Sequence, residues 1–166
     1  MSKKVWALIV LLIIMFVYVS YYYRSPSTVA ILQSTLDEFE LDMFLQKQPI
    51  VISDEVQQWE SLKSAWFPSN KVDLFLESSP SDAWARNRYK YLLIQPYQSC
   101  EVMLYPANKK MNKENVPPED ETLLAIKMNP NQIIILPFRW HFTVSNGASY
   151  GWMGVHDWVT RFLPSS

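Results

Sequence analysis

The chain has 166 residues, 49% of them hydrophobic, and its 15 basic and 16 acidic side chains leave a formal net charge of −1. That length and apolar content suit one domain with its own core. The balanced charge, with no Lys/Arg stripe interleaved with aromatics, offers nothing to a nucleic acid. Three glycines exclude phosphate-cradling GxGxxG or GxxxxGK[ST] loops, and the single cysteine, Cys100, excludes an internal disulfide and a cysteine-based zinc site.

The stretch VWALIVLLIIMFVYVSYYY, residues 5 to 23, carries no charge. At 1.5 Å per residue it covers roughly 28 Å, enough to cross the hydrocarbon layer. Lys3 and Lys4 precede it and Arg24 follows, so the positive-inside bias places the preceding end in the cytoplasm and the rest of the chain across the membrane. Trp6 at one end and Tyr18, Tyr21, Tyr22 and Tyr23 at the other match aromatic belts at headgroup depth. A cleaved signal peptide would end in small residues, where this chain has tyrosines, so the reading is a retained signal anchor over residues 1–24. Residues 25–29, SPSTV, read as a short tether, and residues 30–166 as the folded domain.

Apolar positions between Leu32 and Gln46, with Ser34 or Thr35 placed to cap, predict an amphipathic helix. QPIVIS, residues 48–53, predicts a strand, and Val56, Trp59, Leu62 and Trp66 share one face of a second helix. Short strands are then expected at 72–77, 89–95, 101–106, 123–128, 132–137 and 138–145. The connector 96–99 is short enough for a hairpin that would pair 89–95 with 101–106. Residues 107–122 form a long polar loop, basic around Lys109, Lys110 and Lys113 and acidic later; the lysine cluster offers a surface to a partner, although such a run is usually a solvated face. The tryptophans are expected to pack helices onto the sheet, and Cys100 to be a small filler. His156, near the chain end, is expected to be exposed.

In 138–145 the residues alternate. Phe138, Trp140, Phe142 and Val144 are apolar, and Arg139, His141, Thr143 and Ser145 are polar. If the polar face lines a barrel interior it makes a pocket; if it faces water it does nothing special.

Three segments in order resemble the cupin-like branch that includes JmjC-type and factor-inhibiting-type hydroxylases. FELDMFLQKQPIVIS resembles its entry helix and "kPvvi" strand, YLLIQPYQSCEVMLYPA its "NLLVQ…rxxLYPP" segment, and NQIIILPFRWHFTVSN its "gDvlfiPpgWwHxVxN" segment. The resemblance implies a mainly β fold, a double-stranded β-helix (cupin-like barrel) with two flanking N-terminal helices after the transmembrane helix. It also implies an Fe(II) and 2-oxoglutarate dependent oxygenase, with a His-x-Asp pair and a later histidine as ligands. The later histidine is matched to His141, while the His-x-Asp positions fall on Ala85 and Asn87, the oxoglutarate lysine on Cys100, and Phe138 and Arg139 stand where the family has a glycine and a tryptophan. Asp82, or His156 with Asp157, would have to restore a metal site. The resemblance therefore implies an eroded site: no catalytic residue and no cofactor, with pocket candidates Arg139, His141, Thr143, Gln95 and Asn87, and His141 as a residual metal ligand. The function expected is a membrane-anchored binding or structural module. Its contacts are membrane lipid through residues 5–23 and an undefined protein partner, and it resembles components of the virion or infected-cell membranes of large DNA viruses. The alternative readings are an active protein hydroxylase with a rearranged site, and a small-ligand binder that holds an anion with Arg139 in an empty barrel.

Overall fold

A computed structural model describes residues 3–24, 26, 28–78, 83–119, 121–145 and 148–160, with the side chains of 76–78 excepted. The first element is α1 (Lys3–Tyr23), a helix long and apolar enough to cross a membrane, with its apolar stretch uncovered by the rest of the chain.

The domain is mainly β, with ten strands among the described residues. They are β1 (Leu32–Ser34), β2 (Ile50–Ile52), β3 (Lys71–Ser78), β4 (Ala85–Arg86), β5 (Tyr91–Pro96), β6 (Cys100–Tyr105), β7 (Leu124–Met128), β8 (Ile133–Pro137), β9 (His141–Val144) and β10 (Tyr150–His156). The larger sheet runs β1-β2-β8-β5-β10-β3 and the smaller β4-β9-β6-β7. Every pairing is antiparallel except β1 with β2.

Inner faces of the two sheets meet in an apolar core. Leu92, Ile94, Ile134 and Leu136 come from the larger sheet, and Val102, Leu104, Ile126, Met128, Phe142 and Val144 from the smaller. The far side of the larger sheet, with Ile50, Ile52, Leu93, Ile133, Ile135, Met153 and Val155, is covered by Phe44, Trp59, Leu62 and Phe67. A sheet buried on both faces explains why β5 and β8 read as unbroken apolar runs rather than alternating ones.

Several expectations are corrected. Of the two N-terminal helices only α2 (Trp59–Trp66) forms; the 32–46 segment is instead β1, a turn, and a 3₁₀ segment Leu41–Gln46. Thr35 does cap, accepting the Glu38 N–H at 3.3 Å, but Glu38 and Asp42 would repel at i, i+4 in a continued helix. Pairing with β2 gives the 32–34 backbone a better partner, and the Leu32 N–H donates to the Pro49 carbonyl at 2.9 Å. The 96–99 connector is not a hairpin turn: it carries the chain from the larger sheet into the smaller, so β5 pairs β8 and β10 while β6 pairs β7 and β9. Among the described residues the two sheets remain separate, so the expected closed barrel is an open pair of sheets. β4 and β10 were not anticipated, because β4 has two residues and β10 is diluted by glycines.

The segment expected as a tether is held by the domain where it is described. The Gln48 side chain accepts the Ala30 N–H at 3.0 Å and donates to the Thr28 carbonyl, and Lys47 Nζ donates to the Arg24 carbonyl at 2.9 Å. Ser25 and Ser27 lie outside the described residues.

Gly154 is required by packing. A Cβ there would stand 2.4 Å from the ring of Tyr89, which itself packs against Trp152 and His156. Gly154→Ala is expected to cost about 1–3 kcal/mol through overpacking. A lowered denaturation midpoint of the full chain in detergent checks this, and an unchanged midpoint would mean that Tyr89 swings away freely.

Candidate functional site

The strand parity separates two cavities that the sequence had merged into one. In β9, Phe142 pairs with Ala85 and Leu104 on the inner face, while His141 pairs with Arg86 and Tyr105 on the outer face. Between the sheets a cavity of about 220 Å³ is lined by Ala85, Asn87, Tyr89, Leu92, Phe142, Tyr150 and Trp152, together with Arg86 and Arg88. Outside the smaller sheet lies a cleft of about 690 Å³, lined by Trp84, Ala85, Arg86, Arg88, Lys109, Lys110, Met111, Asn115, Arg139 and His141.

The inner cavity occupies the place the family resemblance assigns to iron, and its lining does not fit a metal. Ala85 carries no donor atom. Asn87, 2% exposed, spends its amide on the backbone: Nδ2 donates to the Leu136 and Pro137 carbonyls at 2.8 Å each, and Oδ1 accepts the Tyr89 N–H at 2.8 Å. Aligning the family segment on Pro137, Trp140 and Val144 places its histidine on Phe142, one residue beyond His141. A slip of one residue along a strand exchanges its faces, which is why His141 points away from the core. His156 and Asp157 are committed elsewhere, His156 Nε2 to Asp73 Oδ2 at 2.8 Å and Asp157 to Tyr18 at 2.9 Å and to Tyr22. His156 is therefore paired and largely covered rather than exposed at the chain end. No cluster of three or more His, Cys, Asp or Glu able to hold a metal occurs among the described residues, and Asp82 lies outside them. Cys100 is buried, which pushes its thiol up and keeps it unreactive.

The expected pocket residues thus divide. Arg139 and His141 share the outer cleft. Thr143 is two positions along the same strand face, 2% exposed, and its Oγ1 has no hydrogen-bond partner. Gln95 lies away from both cavities and donates to the Val56 carbonyl and, at 3.1 Å, to the Asn131 carbonyl. Asn87 borders the inner cavity but acts as a structural clamp. The polar face lines neither a barrel interior nor open water, because the 107–119 loop folds back over it. Tyr105 Oη donates to the Lys110 carbonyl at 3.4 Å, Asn115 Nδ2 donates to the Trp84 carbonyl at 3.0 Å, and Pro117 is buried.

Sequence reasoning missed Arg86 and Arg88, and it singled out Lys109 and Lys110 as a basic cluster without placing them beside the arginines. The signal was the cation density of WARNRYK beside a basic loop, but no local pattern says that the two meet. Trp59 and Trp140 do pack in the core, with Trp66 and Trp152 against it. Trp84 lines the cleft instead, and the 51% exposed Trp158 stacks on Tyr18 with ring centroids 5.3 Å apart.

The cleft is electrostatically one-sided: among the described residues no acidic side chain lines it. His141 is pushed down to about 4, mostly by burial and further by the Arg86 and Arg139 guanidinium groups, so it is neutral at pH 7. Its Nδ1 is buried without a hydrogen-bond partner. Arg139 adopts a left-handed backbone, φ 70°, at the turn between β8 and β9. Asn87 holds it there, its carbonyl accepting the Arg139 N–H at 2.9 Å and its N–H donating to the Trp140 carbonyl at 2.8 Å.

No protein-family description and no curated protein matches the chain. Among solved structures it is similar to RmlC from Streptococcus suis in complex with dTDP-D-xylose, at 14% identity and a TM-score of 0.33, over 66% of this chain. The chain spans 62% of the length of that protein. A likeness of this degree transfers neither ligand nor chemistry.

Two outcomes follow from this geometry. Asn87→Ala removes the side-chain bonds to the Leu136 carbonyl and the Tyr89 N–H and leaves the Pro137 carbonyl only the longer bond from the Trp140 N–H at 3.4 Å, and is expected to cost about 2–3 kcal/mol, read as a lower urea midpoint. Because His141 is depressed in the folded chain, the unfolded chain takes up its proton first as pH falls. Its contribution to stability is therefore complete above about pH 6.5 and is lost as pH drops toward about 4. His141→Gln should flatten the fall in stability over that window, and an unaltered pH profile would contradict the burial assigned to the ring.

Proposed function

We propose that the chain is a single-pass membrane protein whose α1 anchors a non-catalytic, cupin-like binding module. The observation that carries this reading is the inner cavity, where the positions that would ligate iron are Ala85, a backbone-committed Asn87 and Phe142. Facial-triad chemistry needs three donors converging on one point, and these residues supply none that is available.

The strand order supports a double-stranded β-helix. Strands β3-β10-β5-β8 in one sheet face β4-β9-β6-β7 in the other, the arrangement of a jelly roll wound from a folded hairpin. The JmjC-like affinity is supported by the three matched sequence segments, and placement in a viral or infected-cell membrane by that sequence resemblance alone. Lys3 and Lys4 against the lone Arg24 support a cytoplasmic start, with the domain from residue 30 onward on the other side of the membrane.

The tyrosines at the end of α1 do more than mark headgroup depth. Tyr18 and Tyr22 donate to Asp157, Lys47 Nζ lies 3.7 Å from the Tyr21 ring centroid, and Tyr22 packs edge-on to Phe138 with centroids 5.7 Å apart. Helix and domain are joined through side chains, so the anchor sets how the domain is presented to the membrane surface.

The test uses the full chain in detergent, loaded anaerobically with Fe(II) and 2-oxoglutarate. Bound metal near zero per chain is expected, and a ratio near one would replace this reading with that of an oxygenase. In parallel, the chain should stay with membranes through alkaline carbonate extraction; its release would refute the anchor.

A further inference from the structure

We propose that the basic cleft outside the smaller sheet is a binding site for a phosphate-bearing anion. Three separate stretches converge on it: Trp84–Arg88, the Lys109–Asn115 loop and the β8–β9 turn at Arg139. They bring Arg86, Arg88, Lys109, Lys110 and Arg139 around one space, and no acidic side chain among the described residues lines that space. Lys109 is already paired with Glu121 and Arg86 is likewise engaged, which leaves Lys110, Arg88 and Arg139 as the main donors to a ligand. This is more positive charge than one carboxylate would balance. A phosphate monoester, with its double charge and its oxygens matched to planar guanidinium forks, suits it better.

Two further observations point to a ligand rather than to a solvated surface. His141 is 5% exposed and lines the cleft with an unpartnered Nδ1, a buried polar atom that a phosphate oxygen or hydroxyl would satisfy. Arg139 occupies a left-handed position that glycine fills without strain. A non-glycine residue in that conformation is held at an energetic cost, and such residues concentrate where a side chain is needed for function.

The cleft also adjoins the end of α1. The Arg139 guanidinium lies 5.0 Å from the ring centroid of Tyr23, and a small cavity beside it is lined by Tyr21, Tyr23, Arg24, Lys47, Lys90 and Arg139. If α1 spans a bilayer, Tyr23 lies near the headgroups and Arg139 reaches from there into the cleft. The phosphate therefore has two sources, an anionic lipid headgroup or a free phosphate ester. Only the lipid source rests on the anchor reading above.

The full chain is titrated with inorganic phosphate in phosphate-free non-ionic detergent, followed by calorimetry. In a second arm it is placed in phosphatidylcholine nanodiscs with and without phosphatidic acid, and retained lipid is counted by native mass spectrometry. Saturable binding of one phosphate group per chain is expected in at least one arm, weakened about tenfold or more by Arg88→Gln and by Arg139→Gly, and unaltered by Lys63→Gln on α2. Arg139→Gly should fold at least as stably as the parent, since φ 70° suits glycine, which separates lost binding from lost structure. Arginine-dependent binding in the phosphate arm assigns a soluble ester, and in the lipid arm alone a headgroup. Absence of saturable binding in both arms, or equal weakening by Lys63→Gln, overturns the site. A failed membrane anchor would show in carbonate extraction and leave the phosphate titration unaffected.

Discussion

The buried Asn87 side chain is the interaction on which both cavities depend. Its amide and backbone bridge the end of β8, the Arg139 turn and the start of β9, closing a set of bonds to Leu136, Pro137, Arg139, Trp140 and Tyr89. Because these groups are buried, each would be costly to leave unpaired. The bracket therefore fixes the 85–88 segment against the turn. On one side of that segment is the aromatic inner cavity, and on the other the basic cleft. An aspartate at position 87 would offer a metal a carboxylate but would have no N–H to give the two carbonyls. In this chain the side chain at that position gives structural support.

Parity along β9 determines what each cavity can do. Phe142 faces the core and completes an apolar wall, whereas His141 faces outward between Arg86 and Tyr105. The histidine matched in the sequence therefore does not reach the inner cavity. Two like-charged guanidinium groups near a neutral, buried imidazole form an environment that repels further cations and favours anions. The same charges that depress His141 make a divalent metal a poor occupant.

The base of α1 repeats this one-sided pattern. Lys47 is pushed down to about 8 by burial and by Arg24, while burial also lowers Lys90. With Arg139 they surround the point where the helix meets the domain, and the exposed Leu41 and Leu45 lie on the 3₁₀ segment that also contributes Phe44 to this junction. Asp157, bonded to Tyr18 and Tyr22, is the acidic anchor of the junction. The base of an apolar helix long enough to cross a membrane is thus rich in cations.

Where local pattern and burial agree, the sequence by itself determined the result. The uncharged run 5–23, the face of α2, and the apolar strands β5 and β8 follow from composition and period, because each must bury or expose a continuous surface regardless of its neighbours. The alternation around His141 likewise separated Arg139, His141 and Thr143 from Phe142 and Val144. What alternation cannot say is which face meets the core, and a one-residue offset in the matched motif placed the histidine on the wrong side. Only the tertiary structure decided that, through the register of β9 with β4 and β6. It also decided that 32–34 pairs as a strand, that β5 and β6 part into different sheets, and that a basic loop closes over WARNR. Each of these is a long-range pairing whose energy comes from residues far away in the chain, and for that reason no local window contains it.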